Sequence, residues 1–183
     1  MTDLDLTRRT GLPDALRVVV TEMPRDEWEA HPAFRGLAAF WLEKHLVFRK
    51  LAAILRDEAQ ARLEHRLDPA AHAARVSRFG GMYLGELHGH HNVEDAHYFP
   101  VMAGLDSRVA RGFDLLDADH HALDALLADF ADRANAVIRA GTEGHDATGA
   151  FLDSVTRMEG FVDRHLIDEE EIVVPLILRH GLG

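Results

Sequence analysis

Residues 88–100 read HGHHNVEDAHYFP, setting four histidines, a glutamate and an aspartate in thirteen positions before an aromatic pair of positions and a proline. Imidazole and carboxylate are ligands for divalent iron, zinc and manganese. The chain has no cysteine, so disulfides, thiolate nucleophiles, zinc fingers and iron–sulfur clusters are excluded, and any metal must rest on His, Asp, Glu or Tyr. A second stretch, HLIDEEEIVVP from His165, matches HHNVEDAHYFP from His90 in register. Both read HxxxE, then a proline six residues after the glutamate. The offset of 75 residues pairs His90 with His165, Glu94 with Glu169 and Pro100 with Pro175, and it also lays His120 on His45. Each half is therefore a lone histidine 45 residues ahead of an HxxxE segment, and the chain reads as two copies of one helix pair.

Residues four apart share a helix face, so His90 with Glu94, and His165 with Glu169, can reach a common centre. The neighbours on those faces are apolar. Phe79, Tyr83, Leu87, His90, Glu94, His97 and Val101 form one predicted stripe, and Phe151, Val155, Met158, Val162, His165, Glu169, Ile172 and Leu176 form its counterpart. Trp41, Leu42, His45, Phe48 and Ala52, and likewise Phe113, Leu116, His120, Leu123 and Leu127, place the two lone histidines on similar stripes. Two carboxylates buried together repel one another and lose their hydration, a conflict that two divalent cations remove. On this reading Glu94 and Glu169 bridge the cations, His45 and His90 complete one side, and His120 and His165 the other. Iron suits the set, and zinc or manganese could replace it. Among the neighbours, His97 is expected in the core or behind the ligands, His88 and Glu86 behind the ligands, and His91 and His121 at the surface. Asp124 is expected in solvent or behind a ligand. Of the acid run DEEE, only Glu169 is expected to point inward. Trp41, Tyr83 and Phe48 are expected in the core.

The elements that must position these groups are all helical: no segment sustains the alternation of a half-buried strand. Residues 1–33 read as an N-terminal arm, interrupted by Pro13, Pro24 and Pro32, with a short helix around Asp14 to Glu22 and little chemistry. A first long helix is predicted from near Phe34 to near His65. A second starts at Asp68 as N-cap with Pro69 in the first position, and runs toward Gly104, with Gly80 and Gly81 as weak points and Pro100 ending or kinking it. A third extends to about Ala140. A fourth runs from about Ala150 to His180. With 183 residues, one domain is expected, residues 34–183 forming an antiparallel four-helix bundle. The formal charge of −11 argues against nucleic-acid binding, which needs clustered cations against phosphates. No apolar run spans a bilayer and MTDLDLTRRT lacks a secretory leader's apolar core, so a cytoplasmic protein without membrane partners is expected.

The paired HxxxE segments ending in FP and VP, each behind a lone histidine, resemble the hemerythrin-like HHE cation-binding family over about residues 34–180. The resemblance implies an up-and-down four-helix bundle around a non-haem di-iron centre, with His45, His90, Glu94, His120, His165 and Glu169 as ligands. Oxygen-carrying hemerythrins have HxxxH in the third helix and HxxxxD in the fourth. Here Asp124 follows His120 and the fourth helix carries HxxxE, which is closer to bacterial and regulatory relatives. The missing cysteine also separates the chain from the cysteine-bearing N-terminal module of di-iron proteins associated with iron–sulfur repair. The implied function is binding or sensing of a small ligand (O2, peroxide or NO) or of iron status. A di-iron enzyme turning over peroxide or NO, and an iron storage or buffering protein, are the alternatives. The residues decide neither between an enzyme and a binder nor on a protein partner.

Overall fold

A computed structural model describes residues 5–182. All regular structure among these residues is helical. The helices are α1 (Val18–Glu22), α2 (Leu37–Leu63), α3 (Pro69–Arg75), α4 (Gly81–Val93), α5 (Phe99–Met102), α6 (Ala110–Ala140) and α7 (His145–His180). The all-α expectation and its four long helical runs hold, the second run being α3 to α5. The short helix of the N-terminal segment is present as a 3-10 turn at Asp14–Leu16 followed by α1. Asp68 caps α3 as predicted, its carboxylate accepting from the Ala71 N–H at 3.0 Å with Pro69 in the first turn.

Pro100 does not end the second run, which continues through Phe99–Met102. Instead the run contains two five-residue π turns, Val76–Gly80 and Glu94–Tyr98. Each π turn adds a residue to the turn and shifts the phase of everything after it. The buried face therefore proceeds Tyr83, Leu87, His91, Glu94 and then Phe99 and Met102, while His97 and Val101 are exposed. The expected stripe through His97 and Val101 is corrected accordingly: it kept the three- and four-residue steps of an α-helix across a turn where the buried face advances five residues, from Glu94 to Phe99. The first π turn similarly buries Gly80, where an added Cβ would meet the Phe130 ring at 3.6 Å.

The residues group into two compact units. One comprises the chain through Leu46, His91–His121 and the segment from Asp163 onward; the other comprises Val47–His90 and Ala122–Val162. The second unit has an aromatic centre in which Phe130 meets Tyr83 at 5.7 Å and Phe151 at 5.4 Å between ring centroids. The first unit's core joins Leu12, Val19, Val20 and Trp28 of the N-terminal segment to Trp41, Phe99, Phe113, Leu116 and the α7 residues Ile172–Ile177. Residues 172–178 of α7 are buried without interruption, because the N-terminal segment covers the helix face that an amphipathic helix would leave to water.

Gly112 marks a close approach in this unit: an added Cβ would lie 2.6 Å from Cδ1 of Ile172, itself fully buried, whereas Gly81 has nothing within 4 Å. Gly81→Ala should gain the helix-propensity difference of about 1 kcal/mol. Gly112→Ala gains the same but must displace Ile172, an overpacking cost of about 1–3 kcal/mol. Denaturant unfolding should rank Gly112→Ala below Gly81→Ala in stability, and equal gains would show that Ile172 yields freely.

Candidate metal centre

The site is built from four stretches of the first unit. α2 delivers His45, the run from α4 into the π turn delivers His91, Glu94 and Asp95, α6 delivers Asp119 and His120, and α7 delivers His165 and Asp168 to Glu170. His45, Glu94, His120, His165 and Glu169 are all buried. Glu169 stands in the middle: its Oε1 faces His45 Nε2 at 3.3 Å and its Oε2 faces His165 Nε2 at 3.3 Å. The Trp41 indole N–H donates to Oε1 as well. Glu94 Oε2 lies 3.6 Å from His120 Nε2, and the Nε2 atoms of His120 and His165 are 3.1 Å apart. Ligand atoms of His45, Glu94 and Glu169 lie within 4.8 Å of one another, and so do those of His91, His120 and His165. His90 precedes Glu94 by one helical turn, half-buried, with its ring 5.1 Å from Phe48.

Three of the imidazoles are held from behind. Nδ1 of His45 faces Glu170 at 2.8 Å, Nδ1 of His120 faces Asp95 at 2.8 Å, and Nδ1 of His165 faces Asp119 at 3.2 Å. An Nδ1–H donated to a carboxylate fixes the ring and leaves Nε2 as the lone-pair donor, the arrangement common to metal-binding histidines. In the cation-free protein, protons take over the compensation. Burial, then the charge of Glu169, pushes Glu94 well above the usual carboxylate range. Burial alone would depress His165, but hydrogen bonds to Asp119 and Glu169 outweigh it and push it up to about 9. His120 is pushed down to about 3, by burial and then by the charge of His165.

Several neighbours depart from expectation. His91 is buried, not at the surface: its ring stacks 4.0 Å from His120 and meets His165 edge-on at 5.4 Å. The α4 face that approaches the site is wide enough for both members of the His90–His91 pair, since neighbours are only about 100° apart around a helix. His97, His88 and Glu86 are exposed and do not stand behind the ligands. Asp124 is exposed as well, and His121 keeps its expected place at the surface. In the DEEE run Asp168 and Glu170 are buried with Glu169, because arginines from the N-terminal segment meet them: Arg9 binds Asp168 and Arg25 binds Glu170. The expectation that this segment carries little chemistry fails for the same reason.

The acids behind the lone histidines had a signal in the repeat. Asp95 and Glu170 are themselves 75 residues apart, each directly after an HxxxE glutamate. Each grips the lone histidine of the other half, Asp95 that of His120 and Glu170 that of His45. No hydrophobic periodicity reports such a pairing, but extending the repeat by one residue does.

The donor set fits a cation centre: convergent Nε2 atoms, a carboxylate turned to two imidazoles at once, and acids behind the rings. No curated protein and no solved structure matches the chain. The family model for the hemerythrin HHE cation binding domain matches residues 36–177. That match spans α2 through most of α7 and takes in every residue of the expected ligand set, so the chain belongs to the hemerythrin HHE cation-binding family.

Proposed function

We propose that the protein is a non-haem di-iron protein of the hemerythrin-like type that binds or senses a small uncharged or weakly charged ligand such as O2, peroxide or NO. In this reading Glu94 and Glu169 bridge two ions, His45 and His90 complete one coordination shell, and His120 and His165 the other. His91 joins His120 and His165, an addition to the four-histidine set that its burial against both rings supports. The observation that carries the reading is the Glu169 carboxylate, which offers one oxygen to His45 and the other to His165. Iron at such a centre would supply one-electron redox chemistry and exchangeable positions for a small ligand. Zinc and manganese fit the same donors.

The chain's own residues place an apolar surface near the centre. A groove of about 820 Å³ is lined by Phe40, Val93, Val101 and Met102 together with His97 and Tyr98. Tyr98 packs edge-on against Trp41 at 5.0 Å, and Trp41 donates to Glu169, so two aromatic side chains link the groove to the bridging carboxylate. Trp41 also restrains Glu169 by occupying a lone pair on Oε1.

Protein produced with adequate iron should carry about two iron atoms per chain, as expected for carboxylate-bridged sites in the core of a helical bundle. Glu169→Ala and Glu94→Ala should each lower that content strongly. Normal iron content in both variants sinks the bridging assignment. Reduced, loaded protein should change its optical spectrum on exposure to NO, and a spectrum inert to O2, peroxide and NO alike defeats the small-ligand reading.

A pH dependence follows from the protons that stand in for cations. His165 is raised from its ordinary 6.5 to about 9, and His45 is raised too, burial notwithstanding, by Glu169 and Glu170. The folded, metal-free chain thus binds more protons than the unfolded chain between these values. Its stability from these groups is complete below about pH 6.5 and is lost as pH rises through about 9. Cations replace those protons, so their binding strengthens over the same window. Thermal unfolding should find the metal-free protein weaker at pH 9 than at pH 6.5 and the stabilisation by added metal larger at pH 9. A metal-induced stabilisation that ignores pH would contradict the exchange of protons for cations.

A further inference from the structure

The N-terminal segment precedes the family match, which starts at residue 36, yet it supplies two arginines to the acids behind the histidines. Arg9 is buried. Its Nε donates to Asp168 at 2.7 Å, its Nη1 to Asp119 Oδ1 at 2.6 Å, and its Nη2 to the other Asp119 oxygen. That second oxygen also faces His165 Nδ1. Arg164 of α7 ties the same region down, donating to the Thr10 carbonyl at 2.8 Å and to Asp168. Arg25 donates to Glu170 Oε2 at 2.6 Å, while Glu170 Oε1 faces His45 Nδ1 at 2.8 Å. Its guanidinium also lies 4.6 Å over the Trp28 ring, and Trp28 is buried in the core. Two chains of contact therefore run arginine, carboxylate, imidazole, one ending at His165 and one at His45.

We infer that Arg9 and Arg25 are positioning residues: they anchor Asp119 and Glu170 against the Nδ1 atoms of His165 and His45, and so set the direction and donor strength of the two Nε2 atoms. A guanidinium fork on a carboxylate makes two parallel hydrogen bonds and fixes its plane, which an ammonium cannot do. Asp119 is held in this way on both oxygens, so it cannot turn without breaking the fork. The ring orientation and basicity of a ligating histidine follow from the partner on its other nitrogen. The competing reading is that the arginines only compensate buried negative charge, which Lys at position 9 would also do. The inference rests on the proposed ligand roles of His45 and His165, but the geometry it invokes exists without any ion.

The test uses full-length chain labelled with 15N at histidine, together with Arg9→Lys and Arg25→Gln. Arg25 is half-exposed, with 47% of its side chain open, so the second variant should fold even if the first does not. In metal-free protein, Arg9→Lys should shift the ring-nitrogen signals of His165 and leave those of His45 in place. Arg25→Gln should do the opposite. Unchanged rings in the folded variants, or both rings shifting alike in each, overturn the inference, since the latter marks a general loosening. In iron-loaded protein the same variants should lose metal to excess chelator more readily, by up to about the 10- to 100-fold in affinity that loss of a ligand's own partner costs. Release at the unmodified rate overturns the action on the centre. A chain that takes up no iron at all would refute the proposed function through metal content, while the ring signals would still decide the positioning.

Discussion

Two carboxylates, Glu94 and Glu169, are buried side by side at 1% and 0% exposure, and the chemistry of this fold turns on how their charge is compensated. Neither can keep a full negative charge in the interior without a partner, because desolvation and mutual repulsion act in the same direction. In the protein alone, burial and the charge of Glu169 push Glu94 toward its protonated form, and hydrogen bonds to Asp119 and Glu169 favour the His165 cation. In that state imidazole nitrogens stand 3.1–3.6 Å from one another and from carboxylate oxygens. Cations would satisfy the same lone pairs with fewer protons and no conflict. Membership of a cation-binding family and this convergence of imidazoles and carboxylates point the same way.

Much of this was legible in the sequence, for reasons that differ residue by residue. His45, His120, His165, Glu94 and Glu169 could be placed because a regular helical step and a 75-residue repeat locate them independently. α6 and α7 follow that step unbroken, and every residue of their predicted stripes is buried. The second run does not, and two π turns within it are invisible to a constant period. His97 and Val101 fell outside the core for that reason alone. His91 was missed because an adjacent histidine already occupied the favoured position, and a one-residue choice on a helix face is finer than periodicity resolves. Asp168 and Glu170 were missed for another reason. Charged neighbours of a ligand belong in solvent unless a distant segment brings counter-charges, and nothing local to DEEE announces Arg9 or Arg25.

The three consecutive acids of α7 illustrate what such a segment makes feasible. Successive helical residues point about 100° apart, so burying Asp168, Glu169 and Glu170 together requires partners on three sides of the helix. Glu169 meets His45, His165 and Trp41; Asp168 meets Arg9 and Arg164; Glu170 meets His45 and Arg25. His45 is thereby held between two consecutive carboxylates, one at each ring nitrogen. Within α2 and α7 each acid meets at least one cationic or imidazole side chain, and Arg9 and Arg25 of the N-terminal segment give Asp168 and Glu170 a second. The N-terminal segment is thus part of the electrostatic structure of the site, and its apolar contacts through Trp28 and Val19 hold that contribution in place.

The repeat also stops short of symmetry where it matters chemically. The lone histidines are gripped reciprocally, His45 by Glu170 and His120 by Asp95, as two equivalent halves require. The histidines of the HxxxE segments are not equivalent. His165 has Asp119 on its Nδ1, and the residue 75 positions before Asp119 is Lys44, which cannot accept a hydrogen bond. The first half has instead His91, directly after His90, stacked on His120, whereas Leu166 holds the matching place in the second. In the proposed centre, then, the position beside His91, His120 and His165 combines three imidazoles, one of them backed by an acid that Arg9 holds. The position beside His45 and His90 has two imidazoles and the same pair of carboxylates. Unequal donor sets stabilise charge unequally, so the two positions would differ in affinity and in the ease with which a small ligand replaces solvent. In that centre the side with fewer imidazoles, His45 and His90, would have more positions left for a small ligand, and Trp41 links Glu169 to the apolar groove.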